Sequence, residues 1–359
     1  MQVLILVGGE ATRLRPLTCN MPKSMVPVLN IPFLEHVIHF LKGHAISEII
    51  LAQGYLPKPM EDHFQNGKRF DIQLIYALEA SPMGTAGAVK NAERYLSDEF
   101  IVLNGDIFTD LDITSMLQFH RDRRAKVTIA LTSVEDPTAY GLIETSSDGK
   151  ITRFIEKPGW DQVTTNMINA GTYIINKEVL KQVPSQTNFS FERQLFPQLL
   201  EQDAPIYGYH STAYWMDIGT PEKYLQLHFD LMKGAVKAYT MVQGNTVKIG
   251  QGCSIHPDTQ FSGSVIIGDN CVISRGVKLF GPVVIGHSNT IGEDTVIESS
   301  ITWDNNRFST GVNLKECMVA NDCFLDVNSF AEKSVLGDHI IISRNTRLGP
   351  GSRVWPPVS

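Results

Sequence analysis

The stretch "VIIGDNCVISRGVKLFGPVVIGHSNTIGEDTVI", residues 265–297, places a large apolar residue at every sixth position: Ile267, Ile273, Leu279, Ile285, Ile291 and Ile297. The series begins upstream at Ile249, Ile255 and Phe261 and reaches Trp303. A period of six suits neither a helix, at about 3.6 residues per turn, nor an alternating strand, at about 2. It suits a prism-shaped β-solenoid, in which each short strand turns one residue toward the axis. Two places before many anchors stands a small or β-branched residue: Val247, Cys253, Val265, Cys271, Val277 and Val283. Cys253 and Cys271 are therefore core filler. Past Trp303 the period is expected to slip by three and resume at Val312, Met318, Phe324, Phe330, Leu336, Ile342, Leu348 and Val354.

Upstream of 233 the text is different. Short apolar runs, "VLILV" (3–7), "EIILA" (48–52), "IQLIYA" (72–77), "FIVLN" (100–104) and "KVTIALT" (126–132), alternate with helical stretches near 33–43, 57–66, 86–96 and 112–123. Alternation of this kind predicts an α/β, mostly parallel, doubly wound sheet whose ligands bind at the carboxyl ends of strands. "LIETSSDGKITRFIEK" (142–157) predicts a hairpin about Asp148-Gly149, and 221–236 a joining helix. The expected domains are 1–232, a linker over 233–245, and the solenoid over 246–359.

Composition limits the function. The chain has 359 residues, 43% of them hydrophobic, and a formal charge of −7. A basic excess, the mark of a nucleic-acid binder, is absent. No apolar run is long enough for a membrane span, and "MQVLILVGG" reads as a strand rather than a leader. The five cysteines make no C-x-x-C pair, which predicts reduced thiols in a cytoplasmic protein.

Positive charge is concentrated at one place, "LVGGEATRLRPLTCNMPKSM" (6–25). Glycines directly after a strand let backbone N–H groups approach an anion. Arg13, Arg15 and Lys23 supply the charge a polyphosphate needs, Arg as a planar fork and Lys as a point charge. The spacing is not that of a Walker A loop.

After this loop come "GTAGAV" (84–89), "LNGDIF" (103–108), "YGLIE" (140–144), "FIEKP" (154–158), "NAGTYI" (169–174) and "WMDIGTPEKY" (215–224). The set resembles the sugar-1-phosphate nucleotidylyltransferases, nearest to mannose-1-phosphate guanylyltransferase-like members. The six-residue repeat resembles the left-handed parallel β-helix that many of them append. The resemblance implies a Rossmann-like doubly wound mixed sheet, and attack of a sugar-1-phosphate oxygen on the α-phosphorus of an NTP with loss of pyrophosphate. Such catalysis is positioning and charge neutralisation. It implies a nucleotide site at Val7, Gly8, Gly9, Thr12, Arg13, Lys23, Glu79, Gly84 and Thr85. It implies a sugar-phosphate site at Gly141, Glu156, Lys157, Asn169 and Gly171, with Mg²⁺ on Asp106 and Asp217. Arg13, Lys23, Asp106, Lys157 and Asp217 would be the catalytic set. The family usually has Gly where this chain has Ala11; a left-handed backbone there would strain the alanine.

The resemblance places Glu79 against the base edge. An ionised glutamate only accepts hydrogen bonds, which matches the two donors of guanine and favours GTP with mannose 1-phosphate. Three alternatives stay open: a uridylyl-, thymidylyl- or adenylyltransferase using glucose 1-phosphate; a solenoid that also transfers an acyl group through His256, His287 or His339; and a silent nucleotide-sugar-binding subunit. Homo-oligomerisation through the solenoid is expected, because an open coil end needs covering.

Overall fold

The strand Gln2–Leu6 sits at the hub of the first sheet because its residues 3–6, VLIL, are apolar without a polar face, as a strand covered on both sides must be. The computed structural model describes residues 1–236, 239 and 246–357. Gln2–Leu6 pairs in parallel with Glu48–Gln53 on one side and Glu99–Asn104 on the other; Gln73–Leu78 continues the parallel run. Val3, Leu4 and Ile5 are fully buried. Beyond Glu99–Asn104 the direction reverses. Met167–Asn176 runs antiparallel to it and to Val127–Ser133, which pairs in parallel with Ile206–His210. The expected hairpin forms as Gly141–Thr145 and Ile151–Glu156. The nine-stranded sheet is thus mixed, and only its first half has the direction that strand–helix alternation predicts.

The expected helices form at Phe33–Gly43, Lys58–Phe64, Gly84–Asn91 and Ile113–Asp122. Asp112 caps the last of these, accepting from Ser115 N at 2.9 Å. Leu4, Phe100, Val102, Tyr173, Phe191 and Phe196 belong to one buried cluster.

The chain divides into two compact units: Met1–Gly9 with His36–Met216, and Glu10–Glu35 with the chain from Asp217 onward. The helix Pro221–Lys233 belongs to the second unit. Most of the linker expected over 233–245 lies outside the described residues.

In the second unit three parallel sheets of seven, six and six strands stack as a β-helix of the hexapeptide-repeat type. Ile267 lies beside Ile285, 18 residues on, but Ile285 lies beside Thr302, only 17 on. The short spacing then recurs, Thr302 beside Val319 and Val319 beside Leu336, until Leu336 meets Val354 at 18. This corrects the expected slip of three. One residue is lost per coil, at the corners where Ser299, Glu316 and Lys333 adopt left-handed φ of 47°, 50° and 45°. The inward column is therefore Phe308, Leu314, Val319, Leu325 and Ala331. Phe324 faces outward, 38% exposed, and Trp303 leaves the column, its Nε1 donating to Tyr224 Oη at 3.0 Å.

Of the two cysteines expected as filler, Cys271 is buried and Cys253 half-buried; Cys317 and Cys323, not singled out beforehand, are buried as well. Cys271 Sγ donates to Gly286 O at 3.1 Å and Cys323 Sγ to Gly337 O at 3.1 Å, each one coil on. Burial pushes the Cys271 and Cys317 thiols up to about 11 and Cys323 to about 12. Those groups are inert fillers rather than nucleophiles.

Candidate active site

In the first unit, chain order moves outward from Gln2–Leu6 to Glu48–Gln53 and Gln73–Leu78, then returns to Glu99–Asn104 on the other side. That reversal leaves a crevice beyond the carboxyl ends of Gln2–Leu6 and Glu99–Asn104. Val7, Gly8 and Gly9 leave one strand there, and Gly105 and Asp106 leave the other. Gly105 N donates to Leu6 O at 2.9 Å. A Cβ on Gly105 would stand 2.6 Å from both Leu6 O and Val7 Cγ1, so glycine is what lets the Asp106 turn close against the first strand.

Gly8 meets the same constraint from Glu79. A Cβ there would stand 2.6 Å from Glu79 Oε1 and 3.2 Å from Gly54 N. The Glu79 carboxylate therefore rests on the glycine loop. Its Oε2 accepts from Met83 N at 3.1 Å across the Ser81-Pro82 turn. Burial raises its pKa, and the Met83 donor opposes the rise. Gly84 then opens the helix Gly84–Asn91. The Thr85 hydroxyl is turned elsewhere: it donates to Glu192 Oε2 at 2.8 Å and accepts from Phe191 N at 2.9 Å.

The sugar-phosphate candidates gather where Met167–Asn176 bulges. Its register against Val127–Ser133 shifts between Asn169 and Tyr173, and Gly171 takes a φ of 71°. Asn169 Oδ1 accepts from Gly171 N at 2.9 Å, and its Nδ2 donates to Tyr173 Oη at 2.8 Å. Tyr173 in turn donates to Glu192 Oε1 at 3.1 Å, and Ser190 Oγ donates to Glu192 Oε2 at 2.6 Å. Glu156 lies beside Gly141, whose added Cβ would stand 3.0 Å from Glu156 Oε2. Burial raises the Glu156 pKa, the Glu192 charge adds to it, and Lys157 and Arg193 oppose it. Lys157 holds a left-handed φ of 53° before Pro158, a conformation costing about 1–3 kcal/mol and concentrated at functional sites. Its N–H donates to Tyr140 O at 2.9 Å. Glu192 and Tyr173 escaped the sequence reading; the available signal was a single acid within the apolar run "FSFERQLF".

The second unit carries the remaining candidates. Thr12 and Arg13 lie in the 3₁₀ turn Thr12–Leu14, and Lys23 opens the turn Lys23–Met25. Ala11 precedes the first turn at φ 49°, ψ 43°, the left-handed conformation that strains an alanine. Asp217 is buried and paired with Lys223 Nζ. A Cβ on Gly219 would stand 2.9 Å from Arg13 Nη2 and 3.1 Å from Asp217 Oδ2, so Arg13 and Asp217 share one place. Lys223 was not expected. His256, His287 and His339 stand apart along the coils, 3.8, 3.5 and 3.7 Å from Asp258, Asp269 and Asp322 respectively. Among the described residues no group of three or more His, Cys, Asp or Glu is placed to hold a metal. The carboxylates of Asp106 and Asp217 are hard oxygen donors, the type Mg²⁺ takes while keeping much of its water.

The family model described as nucleotidyl transferase matches residues 2–234. The chain belongs to that family. A second family model, the bacterial transferase hexapeptide (six repeats), matches 246–281. A mannose-1-phosphate guanylyltransferase of Mycobacterium tuberculosis is 36% identical over 285 residues, covering 73% of this chain and 79% of its own. The catalytic subunit beta of the Drosophila melanogaster enzyme of that name is 38% identical, covering 70% and 72%. A UTP–glucose-1-phosphate uridylyltransferase of Synechocystis is 31% identical and covers 89% and 87%. Among solved structures, HddC from Yersinia pseudotuberculosis complexed with GMP-PN is 30% identical, covers 64% of this chain and 98% of its own, and superposes with a TM-score of 0.56. The chain is thus a sugar-1-phosphate nucleotidyltransferase, acting on a nucleotide and a sugar phosphate. No described helix is long and apolar enough to cross a membrane.

Proposed function

We propose that the enzyme transfers GMP from GTP to mannose 1-phosphate, giving GDP-mannose and pyrophosphate. The observation that carries the choice of base is Glu79, an acceptor-only carboxylate resting on Gly8 of the nucleotide loop. Guanine presents N1–H and N2–H₂ on one edge, and a carboxylate can accept both. The relatives named mannose-1-phosphate guanylyltransferases support the sugar. The wider coverage of the uridylyltransferase relative favours UTP and glucose 1-phosphate as the second reading.

In this reading residues 1–232 form the catalytic segment. Val7, Gly8, Gly9 and Thr12 hold the NTP phosphates through the backbone. Gly84 and Thr85 lie at the start of the helix beneath the nucleotide. Arg13 and Lys23 neutralise the leaving pyrophosphate. Lys157 holds the sugar phosphate, while Glu156, Asn169, Gly141 and Gly171 shape the sugar pocket. Mg²⁺ on Asp106 and Asp217 would supply charge neutralisation at the α-phosphate. The sugar-phosphate oxygen attacks the α-phosphorus in line, and the bond to the β-phosphate oxygen breaks. Positioning is most of the catalysis, because no protein nucleophile is used. We also infer self-association through 246–359 and a cytoplasmic setting, consistent with five free thiols.

The test is kcat/KM for GTP, UTP, dTTP and ATP with one sugar phosphate, wild type against Glu79→Gln. Wild type should prefer GTP. The variant presents a donor to a donor and should narrow that preference by about 1–3 kcal/mol, the size of a bidentate base contact. Preference of the wild type for UTP would install the second reading. An unchanged ranking in the variant would remove Glu79 from the base pocket.

A further inference from the structure

Within the second unit, the segment that carries Arg13 is tied to three separate coils of the β-helix. Asn30 Nδ2 donates to Ile285 O at 2.7 Å, and Asn20 Nδ2 to Asp338 Oδ2 at 3.1 Å. At the far end, Arg353 Nη1 donates to Arg13 O at 3.3 Å and to Arg15 O at 3.1 Å. Arg353 stands on Arg353–Val354, the last strand of the coil.

We infer that Arg353 is a positioning residue for nucleotide binding: one cationic nitrogen holds two carbonyls of the loop and so presets the direction in which Arg13 points. This rests on the reading that Arg13 meets the NTP phosphates. The two carbonyls bracket Leu14, which is fully buried, so the clamp and the buried side chain fix the same short turn from two sides. Its own bonds run from Leu14 N and Thr18 Oγ1 to Ala11 O and from Arg15 N to Thr12 O, which leaves the outward carbonyls of Arg13 and Arg15 to Arg353. The turn spans three residues and starts from the left-handed Ala11. A charged donor strengthens a hydrogen bond over a neutral one, and here one such donor serves two carbonyls of an exposed loop. Arg13 leaves the clamped backbone toward Gly219 and Asp217, so a change in the 13–15 backbone is transmitted to its guanidinium. Arg353 itself is exposed, and its loss removes a tether rather than a piece of core.

The test uses the full chain with GTP and mannose 1-phosphate. Arg353→Met keeps the stem and removes the donors; Arg353→Lys keeps a cation with three donors. Arg347→Ala removes another coil arginine, one stacked on Phe330 4.9 Å away, and serves as control. Arg353→Met should lower kcat/KM for GTP about tenfold or more, as loosened near-attack geometry does, and leave KM for mannose 1-phosphate within about twofold. Arg353→Lys should recover part of the loss, and Arg347→Ala should behave as wild type. Arg13→Ala should lose more than Arg353→Met, and adding Arg353→Met to it should cost nothing further, because one acts through the other. Equal losses for both substrates, or additive losses in the double variant, would overturn the positioning role. Wild-type nucleotide kinetics in Arg13→Ala would instead overturn the reading of the loop on which it rests. If Arg353→Met is insoluble, Arg353→Leu, which likewise has no side-chain donor, takes its place with the same expectations.

Discussion

Ala11 shows how a single residue records a cost at the nucleotide loop. Its φ of 49° is strained for any residue with a Cβ, and its carbonyl is fixed there by Thr18 Oγ1 at 3.0 Å and Leu14 N at 3.0 Å. Left-handed backbone costs an alanine about 1 kcal/mol, and glycine avoids it. Ala11→Gly should therefore raise the thermal midpoint by about 1–2 °C, part of the gain being offset by a freer unfolded chain. Thermal unfolding with and without GTP measures this, and a lowered midpoint without ligand would show that the strain is already relieved. Glu156 carries the corresponding pH signature. Its folded pKa lies above its unfolded one, so its ionisation disfavours the folded state as pH rises through the folded value. Glu156→Gln should be more stable than wild type at neutral pH, with the difference fading as pH falls below the ordinary glutamate range. If Glu156 meets the sugar as proposed, the same variant should lose the acid-side rise in KM for the sugar phosphate, because protonation replaces a charged acceptor by a weaker neutral one. A parallel rise in the variant would assign that titration to another group. At this scale the glycine loop and Asp106 stand out as candidates because small residues and charges lie next to strand ends in sequence, whereas Glu79 and Lys157 are candidates through the family resemblance. Glu192 and Lys223 do not stand out, because their partners Tyr173 and Asp217 reach them only through folding.

The elements follow from period, and they were misread where two periods coincide. The hexads up to Ile297 predicted the inward column, and Val265, Ile273 and Leu279 lie in it. Past Ile285 the coils shorten to 17, as in Ile285 beside Thr302 and Thr302 beside Val319. The outward Phe324 and Phe330 then mimic anchors at a period of six, while the true anchors Leu325 and Ala331 stand one residue later. Size, not periodicity, led the reading astray: a phenylalanine on the outer face looks more like core than an alanine on the axis. Direction in the first sheet was hidden for a different reason. A strand of ten residues, Met167–Asn176, pairs with three others, Glu99–Asn104, Val127–Ser133 and Gly141–Thr145, and local sequence carries no sign of which way it runs. Trp303 shows the energetic consequence of leaving the column. It is 2% exposed and its indole N–H is used by Tyr224, whose own hydroxyl donates to Pro27 O. Trp303→Phe removes that donor and leaves a small void, which should cost about 1–3 kcal/mol. Chemical denaturation read by far-UV circular dichroism checks it; a change below about 0.5 kcal/mol would mean the indole N–H contributes no net stability at this place.

For the whole molecule, the question is what the first coil of the β-helix meets. A parallel stack buries its interior from coil to coil, but its terminal strand pairs on one side only. Among the described residues Val247–Ile249 ends the seven-stranded sheet and pairs with Val265–Ile267 alone. Its apolar residues are correspondingly open, Val247 at 40% and Ile249 at 50% exposure, where their equivalents Val265 and Ile267 are buried. An end strand with exposed anchors is a template for another chain. If that chain is a second copy, the interface is apolar at its centre, and a single charge there should be decisive. Ile249→Asp places a carboxylate where the column would otherwise continue, and it would lose its hydration on association. Sedimentation equilibrium should then give a dimer or larger species for wild type and a monomer for Ile249→Asp. Thermal stability should change by less than about 1 kcal/mol, because the wild-type side chain is half open already. The site residues lie elsewhere in the chain, so GTP turnover should persist in the monomer. Wild type and variant both sedimenting as monomers would leave the coil end without a copy to cover it. Both sedimenting as the same oligomer would move the interface away from this strand.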